Sequence, residues 1–171
     1  MTFVSKEALP TTKIVYCLRK QTYLTMNDTF NPLHDCLFFT SGALARVLAR
    51  WAEDAFDGLG MSPSQGYLMM LVASTPGIAL GRLATAMALD ASTLSRIIEK
   101  LEAKGLVRRS AVGRRRTLAL TSAGQALLPR VRAAKAEIER RVNAALGEDH
   151  ARVITKLTQA TGEKLSASIT N

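Results

Sequence analysis

The chain has 171 residues, about one domain's worth, and 47% of them are hydrophobic, enough for a real core. Aromatics make up only 5%, and an apolar set dominated by Ala and Leu favours helices over sheets. The formal net charge of +9 and isoelectric point of about 10.1 call for an anionic partner, nucleic acid or an acidic surface. Two cysteines, Cys17 and Cys36, are too few for a disulfide framework. Lys6, Glu7, Lys13, Arg19 and Lys20 interrupt the N-terminal apolar stretches, so no signal peptide is read, and no run approaches the ~18 apolar residues of a bilayer span. These features predict a reduced, cytoplasmic protein with no membrane segment, and nothing in them calls for a cofactor or metal.

Residues 1–33 show no clear period and read as a poorly ordered extension, followed by a single domain over 34–171. From Cys36 to Leu59 the positions Leu37, Ser41, Leu44, Leu48, Trp51, Ala55 and Leu59 step by three or four, one long helical stripe closed by Gly58 and Gly60. Ser62-Pro63 restarts a helix with Ser as N-cap and Pro in the first turn, and Pro76-Gly77 stops it. A short helix follows with Leu80, Leu83, Ala84 and Met87 on one face. After a turn at Leu89-Asp90, a helix opens at Asp90 or Ala91 and runs to Ala103, closed by Gly105. Leu106–Arg109 and Arg116–Leu120 alternate about Gly113 and predict a β-hairpin. Thr121 or Ser122 caps a helix running to about Leu146, with Leu128, Val131, Ile138, Val142 and Ala145 near a heptad seam that Lys135 interrupts. Gly147 breaks the chain, and a last helix carries Val153, Ile154, Leu157, Thr161 and Leu165. The stripes at 37–59, 128–145 and 153–165 are too apolar to stay in water, which predicts that helices 34–60 and 121–171 bury one another and a second copy.

The charge is not spread evenly. Residues 91–116 hold eight Lys/Arg against two Glu, two-thirds of the net charge in a 26-residue window. Within it, Leu94, Ile97, Ile98 and Leu101 mark the buried face of a helix. The opposite face carries Ser92, Ser95, Arg96, Glu99 and Lys100, with Thr93 on its edge. Short polar side chains and an arginine at the start of a braced helix suit reading base edges in the major groove. The hairpin tip adds Arg114, Arg115 and Arg116, a self-repelling cluster unless an anion neutralises it. A basic hairpin directly after such a helix is a wing able to reach the backbone or minor groove. The fold class expected is therefore mainly α, a winged helix-turn-helix over 63–120, with a three-helix core, a β-hairpin wing and dimerisation helices at both ends.

The segment LDASTLSRIIEKLEAKGLVRR at Leu89–Arg109, with LTSAG at Leu120–Gly124 and MSPSQGYLMML at Met61–Leu71, resembles the MarR family of regulators over roughly residues 36–150. The resemblance implies a homodimer that represses from a palindromic double-stranded operator and is released by a small aromatic or phenolic ligand. Carried onto this chain, it implies that Ser92, Thr93, Ser95 and Arg96 face bases, that Lys100 faces phosphate and that Arg114 is the wing arginine. Its ligand pockets lie between dimer helices and winged domain, where Leu44, Trp51, Tyr67 and Met70 are the candidate lining residues. The wing here departs from the family pattern, being about four residues shorter and without an acidic residue.

Two alternatives stand beside this reading within DNA or anion binding. One family branch senses organic hydroperoxides through a cysteine near the start of the first long helix, and Cys36 stands close to that place beside His34 and Asp35. No Tyr occurs between Tyr23 and Tyr67 to stabilise a thiolate, and Leu37, Phe38 and Phe39 supply an apolar setting, so Cys36 is expected to be a small, half-buried packing residue. A non-specific module for anionic surfaces would want aromatic anchors that the basic helix lacks. Catalysis is not expected: His34 and His150 are far apart, Asp54 and Asp57 sit in a solvated setting beside Gly58, and no metal-ligand or phosphate-loop spacing occurs.

Overall fold

The computed structural model describes residues 33, 35–112 and 115–169. His34, Gly113, Arg114, Cys17 and residues 1–32 of the extension expected over 1–33 lie outside the described residues, as does the side chain of Arg115. Contacts divide the chain into two units, 1–42 and 43–171. In the first, Thr40 Oγ1 donates to the Cys36 carbonyl at 3.0 Å and Cys36 N–H to the Leu33 carbonyl at 3.0 Å, and Leu37 and Phe38 are exposed. Cys36 is a free, exposed cysteine, which corrects the half-buried packing role expected for it. It precedes the first helical residue, so no neighbouring turn covers it.

The elements run in the predicted order: α1 (Leu37–Phe56), a 3-10 turn (Asp57–Leu59), α2 (Pro63–Ser74), α3 (Leu80–Met87), α4 (Ala91–Ala103), β1 (Val107–Val112), β2 (Arg115–Leu120), α5 (Ser122–Leu146) and α6 (Glu148–Ile169). The architecture is mainly helical with one two-stranded hairpin, as the sequence implied. Helix α2 lies centrally in the second unit, packed by α3, α4, β2 and α5. Its apolar residues surround the axis rather than forming a stripe, with Leu68, Met69 and Val72 buried. Around it close Phe56, Leu83, Ile98, Leu101, Leu118 and Val131, side chains that each gain about 1.5–3 kcal/mol by leaving water. Gly66 makes one of these contacts possible, since a Cβ there would stand 2.2 Å from Phe56 Cε1. The Phe56 ring also meets Tyr67 edge-on, with centroids 5.9 Å apart.

Side-chain caps fix where the helices begin. Ser62 Oγ accepts from Gln65 N–H at 3.4 Å and Gln65 Oε1 accepts from Ser62 N–H at 3.1 Å, a reciprocal capping box followed by Pro63. Thr121 Oγ1 accepts from Gly124 N–H at 3.1 Å and donates to the Gly105 carbonyl at 2.6 Å, tying the start of α5 to the end of α4. Three cations bind the end of α1 and the α1–α2 connection to later elements. Arg130 donates to the Gly58 carbonyl at 2.9 Å, Lys104 donates to the Gly60 carbonyl, and Arg141 pairs with Asp54 at 3.5 Å.

The hairpin is longer than its sequence pattern suggested. Antiparallel pairing runs from Val107↔Leu120 to Val112↔Arg115, so Ser110, Ala111, Val112 and Arg115 join the strands and two residues remain between them. Ala79 adds a bridge to Thr117 on the far edge of β2, a contact invisible in a one-dimensional pattern. By this register Val107, Arg109, Arg116, Leu118 and Leu120 share one face of the hairpin, and Arg108, Ser110 and Thr117 the other. The first face holds buried Val107 and Leu118 against the core.

Candidate nucleic-acid interface

Helix α4 divides as an interface helix must. Leu94, Ile98 and Leu101 are buried against the core, while Ser92, Arg96, Glu99 and Lys100 are exposed and Thr93 and Ser95 are half-buried at the margin. Helix α3 packs against it, with Leu83 fully buried, and so braces it from behind. Arg96 and Lys100 stand one turn apart and have no side-chain partner among the described residues. They are cations held in water by a fixed helix, the condition for taking guanine edges or phosphate oxygens.

The hydroxyls on the same helix are engaged. Asp90 is the N-cap: its Oδ1 accepts from Thr93 N–H at 2.9 Å and from Ser92 Oγ at 2.5 Å, and its Oδ2 accepts from Thr93 Oγ1 at 2.7 Å. The Ser92 hydroxyl foremost, then the two Thr93 donors, hold the Asp90 carboxyl well below the usual carboxylate range. Ser95 Oγ donates to Glu99 Oε1 at 3.1 Å and accepts from Arg109 Nη2 at 3.4 Å.

Arg109 links the wing to this helix. Its Nη1 pairs with Glu102 Oε2 at 3.0 Å, its backbone N–H donates to Glu102 Oε1 at 3.0 Å, and its Nη2 lies 3.9 Å from Glu99. The sequence reading counted Arg109 only as part of the basic window. Two acidic residues at i and i+3 on α4, followed by paired arginines entering a strand, were the available signal. On the wing, Arg116 is exposed, Arg115 takes part in strand pairing, and Arg114 lies outside the described residues.

The four residues expected to line a ligand pocket part company. Tyr67 and Met70 do line an open groove of about 670 Å³ between α2, α3 and α5, together with Leu71, Met87, Arg132 and Lys135. Leu44 and Trp51 are not part of that groove; Leu44 is exposed and Trp51 half-buried on α1. Burial pushes the Tyr67 hydroxyl pKa up, Lys135 opposing and Glu139 adding to the shift. Lys135 is ion-paired with Glu139, one turn on, whereas Arg132 is exposed with no ion partner among the described residues. Lys135, which looked like a defect in the α5 seam, is thus a groove residue. Among the described residues no His/Cys/Asp/Glu cluster fit to hold a metal occurs, and no helix is long and apolar enough to cross a membrane.

Residues 59–116 match the model of the MarR family. A probable transcriptional regulator from Pseudomonas aeruginosa is 28% identical and superposes with a TM-score of 0.70, over 75% of this chain and 98% of its own. The transcriptional repressor CouR bound to p-coumaroyl-CoA is 20% identical, with a TM-score of 0.72 over 80% of this chain and 98% of its own. CouR bound to a 23-mer DNA duplex gives 21%, 0.71, 76% and 94% for the same quantities. No curated protein sequence matches the chain. The family match runs from the end of the 3-10 turn through α2, α3, the braced helix α4 and β1 to the first residues of β2. Residues 59–116 are thus similar to the MarR family in sequence, and the chain shares its winged helix-turn-helix fold with a probable transcriptional regulator and with the repressor CouR.

Proposed function

We propose that the chain acts as a homodimeric repressor that seats α4 in the major groove of a palindromic operator, sets its wing arginines against the flanking backbone and releases DNA when a small aromatic ligand enters the α2–α5 groove. The observation that carries the DNA part is the exposed face of α4, where Arg96 and Lys100 stand unpaired beside the hydroxyls of Ser92, Thr93 and Ser95. The dimer reading rests on residues 34–60 and 121–171 as its helices. Val153, Ile154, Leu157 and Leu165 on α6, and Leu44 and Val47 on α1, are exposed at helical spacing, more apolar surface than a monomer leaves in water. A two-fold pair of α4 helices matches half-sites one helical turn, about 34–36 Å, apart.

The ligand reading draws on the groove's chemistry. Tyr67, Met70 and Met87 offer a flat, polarisable wall, and Arg132 and Lys135 offer a seat for an acidic group. The repressor CouR binds an aromatic acyl thioester in the same fold. Such a ligand would compete with Glu139 for Lys135 and so act on α5, which joins the winged domain to α6.

Selection of binding sites from random DNA tests this account. The expected product is an inverted repeat with half-sites about one turn apart, bound by two chains and released by an aromatic carboxylate in wild-type protein but not in Arg132→Ala. Recovery of no common motif would remove the operator, and release equal in both proteins would remove the groove.

A further inference from the structure

Asp90 governs the hydrogen-bond polarity of the two hydroxyls beside it. An ionised carboxylate has no proton to give, so between Ser92 Oγ and Asp90 Oδ1, 2.5 Å apart, the hydroxyl must donate. The same holds for Thr93 Oγ1 and Asp90 Oδ2 at 2.7 Å. The carboxyl remains ionised throughout the physiological range, because those donors and Thr93 N–H hold its pKa down. A hydroxyl owns one proton and two lone pairs, so what Ser92 and Thr93 have left for a partner is acceptor capacity alone. Ser95 is in the same condition, its proton given to Glu99 Oε1. Arg96, by contrast, is exposed and offers donors only.

The edges of bases in the major groove divide along the same line. Guanine O6 and N7 and thymine O4 accept, whereas the amino groups on cytosine C4 and adenine C6 donate. A hydroxyl whose proton is spent on Asp90 matches an amino group and not a carbonyl, and the nearby negative charge reinforces the choice. Resting on the reading of α4 as the major-groove helix, we infer that Asp90 is a specificity-determining residue, which by holding the hydroxyl protons of Ser92 and Thr93 makes the first turn of α4 a reader of the exocyclic amino groups of cytosine or adenine and leaves guanine to Arg96.

The test uses the full chain and an operator selected from random DNA. Positions read by the two hydroxyls are those where Ser92→Ala or Thr93→Val flattens the base preference. At such a position, replacing the contacted cytosine or adenine by its deamino analogue, 2-pyrimidinone or purine, should cost wild-type protein about tenfold in affinity and cost the matching variant nothing. Replacing purines there by 7-deaza analogues, which lack the N7 acceptor, should leave wild-type binding unchanged. Asp90→Asn keeps an equally good N-cap, with its Oδ1 still accepting from Thr93 N–H and Ser92 Oγ, but its amide nitrogen donates to Thr93 Oγ1 in place of accepting from it, so it should remove the tenfold preference at the position Thr93 reads while preserving the position Ser92 reads and guanine opposite Arg96. Loss of affinity with the 7-deaza analogue and tolerance of the deamino one would overturn the inference and leave α4 as the reading helix. If neither Ser92→Ala nor Thr93→Val alters preference at any position, the inference and the base-facing assignment of these hydroxyls fall together.

Discussion

Gly124→Ala is expected to destabilise the protein even though it places a better helix former inside a helix. Gly124 is in the first turn of α5, directly over the root of the wing, and a Cβ there would stand 2.1 Å from the Leu106 carbonyl oxygen and 3.1 Å from its carbon. That oxygen cannot swing aside like a side-chain tip, because it belongs to the backbone and accepts from Thr121 N–H at 3.1 Å. Forcing a methyl into such a place costs about 3 kcal/mol, the upper end for overpacking, while the gain in helix propensity returns about 1 kcal/mol. The net loss is about 2 kcal/mol, which at a urea m-value of about 2 kcal/mol per molar moves the midpoint down by about 1 M. Urea denaturation at one fixed protein concentration reads this, so that any self-association weighs equally on the proteins compared. Gly162→Ala, where a Cβ meets nothing within 4 Å, is the control and should not lower the midpoint. An unchanged or raised midpoint for Gly124→Ala would refute the close approach of α5 to the wing root.

Deleting residues 148–171 removes α6 and its exposed Val153, Ile154, Leu157 and Leu165, and should abolish dimerisation and operator binding together in sedimentation and gel-shift measurements. Glu137, held by Arg140 first and Arg141 second, has its pKa lowered from 4.5 to about 2. Because the folded value is the lower one, its stabilisation is complete above about pH 4.5 and is lost as pH falls towards 2, so the stability difference between wild type and Glu137→Gln should vanish over that window in acid denaturation. Cys36 is exposed, but among the described residues nothing donates to its sulfur, so Cys36→Ser should bind operator and respond to organic hydroperoxide as wild type does. Release of only the wild type by micromolar hydroperoxide would make the thiol a sensor. Arg109→Gln takes the guanidinium away from Glu99, Glu102 and Ser95 at once and should weaken operator binding more than random-DNA binding in competition assays.

Most of the element order was legible because the stops and starts are chemical. Ser62-Pro63, Asp90, Thr121, Gly105 and Gly147 act locally, and the structure uses each of them as cap or terminator. The polar face of α4 was legible for a similar reason, since one helix carries all its residues at fixed spacing. Features that need two elements to meet were not. The hairpin's extra pairs follow from strand contact beyond Arg109, where the alternation of Ser110, Ala111 and Val112 is weak. The groove joins Tyr67 and Met70 to Arg132, Lys135 and Glu139 across 60 residues and more, and it excludes Leu44 and Trp51 although they share the α1 stripe. Helix α2, apolar on all sides, gives no period from which Met69 could be assigned to the core. The engagement of Ser92 and Thr93 by Asp90 was readable in principle, because an Asp N-cap places the next two hydroxyls within its reach.

On the proposed function, α4 reads DNA sequence through Arg96 while the wing adds charge without sequence. Affinities of wild type, Arg96→Ala and Arg116→Ala for the selected operator and for a scrambled duplex, measured across a salt series, test it most directly. Arg96→Ala should lose about 1–3 kcal/mol on the operator, lose little on the scrambled duplex and relax one base pair. Arg116→Ala should weaken both duplexes alike and reduce the salt slope by about 1. Equal losses on the two duplexes for Arg96→Ala would contradict the account, because α4 would then be contributing charge and not reading bases.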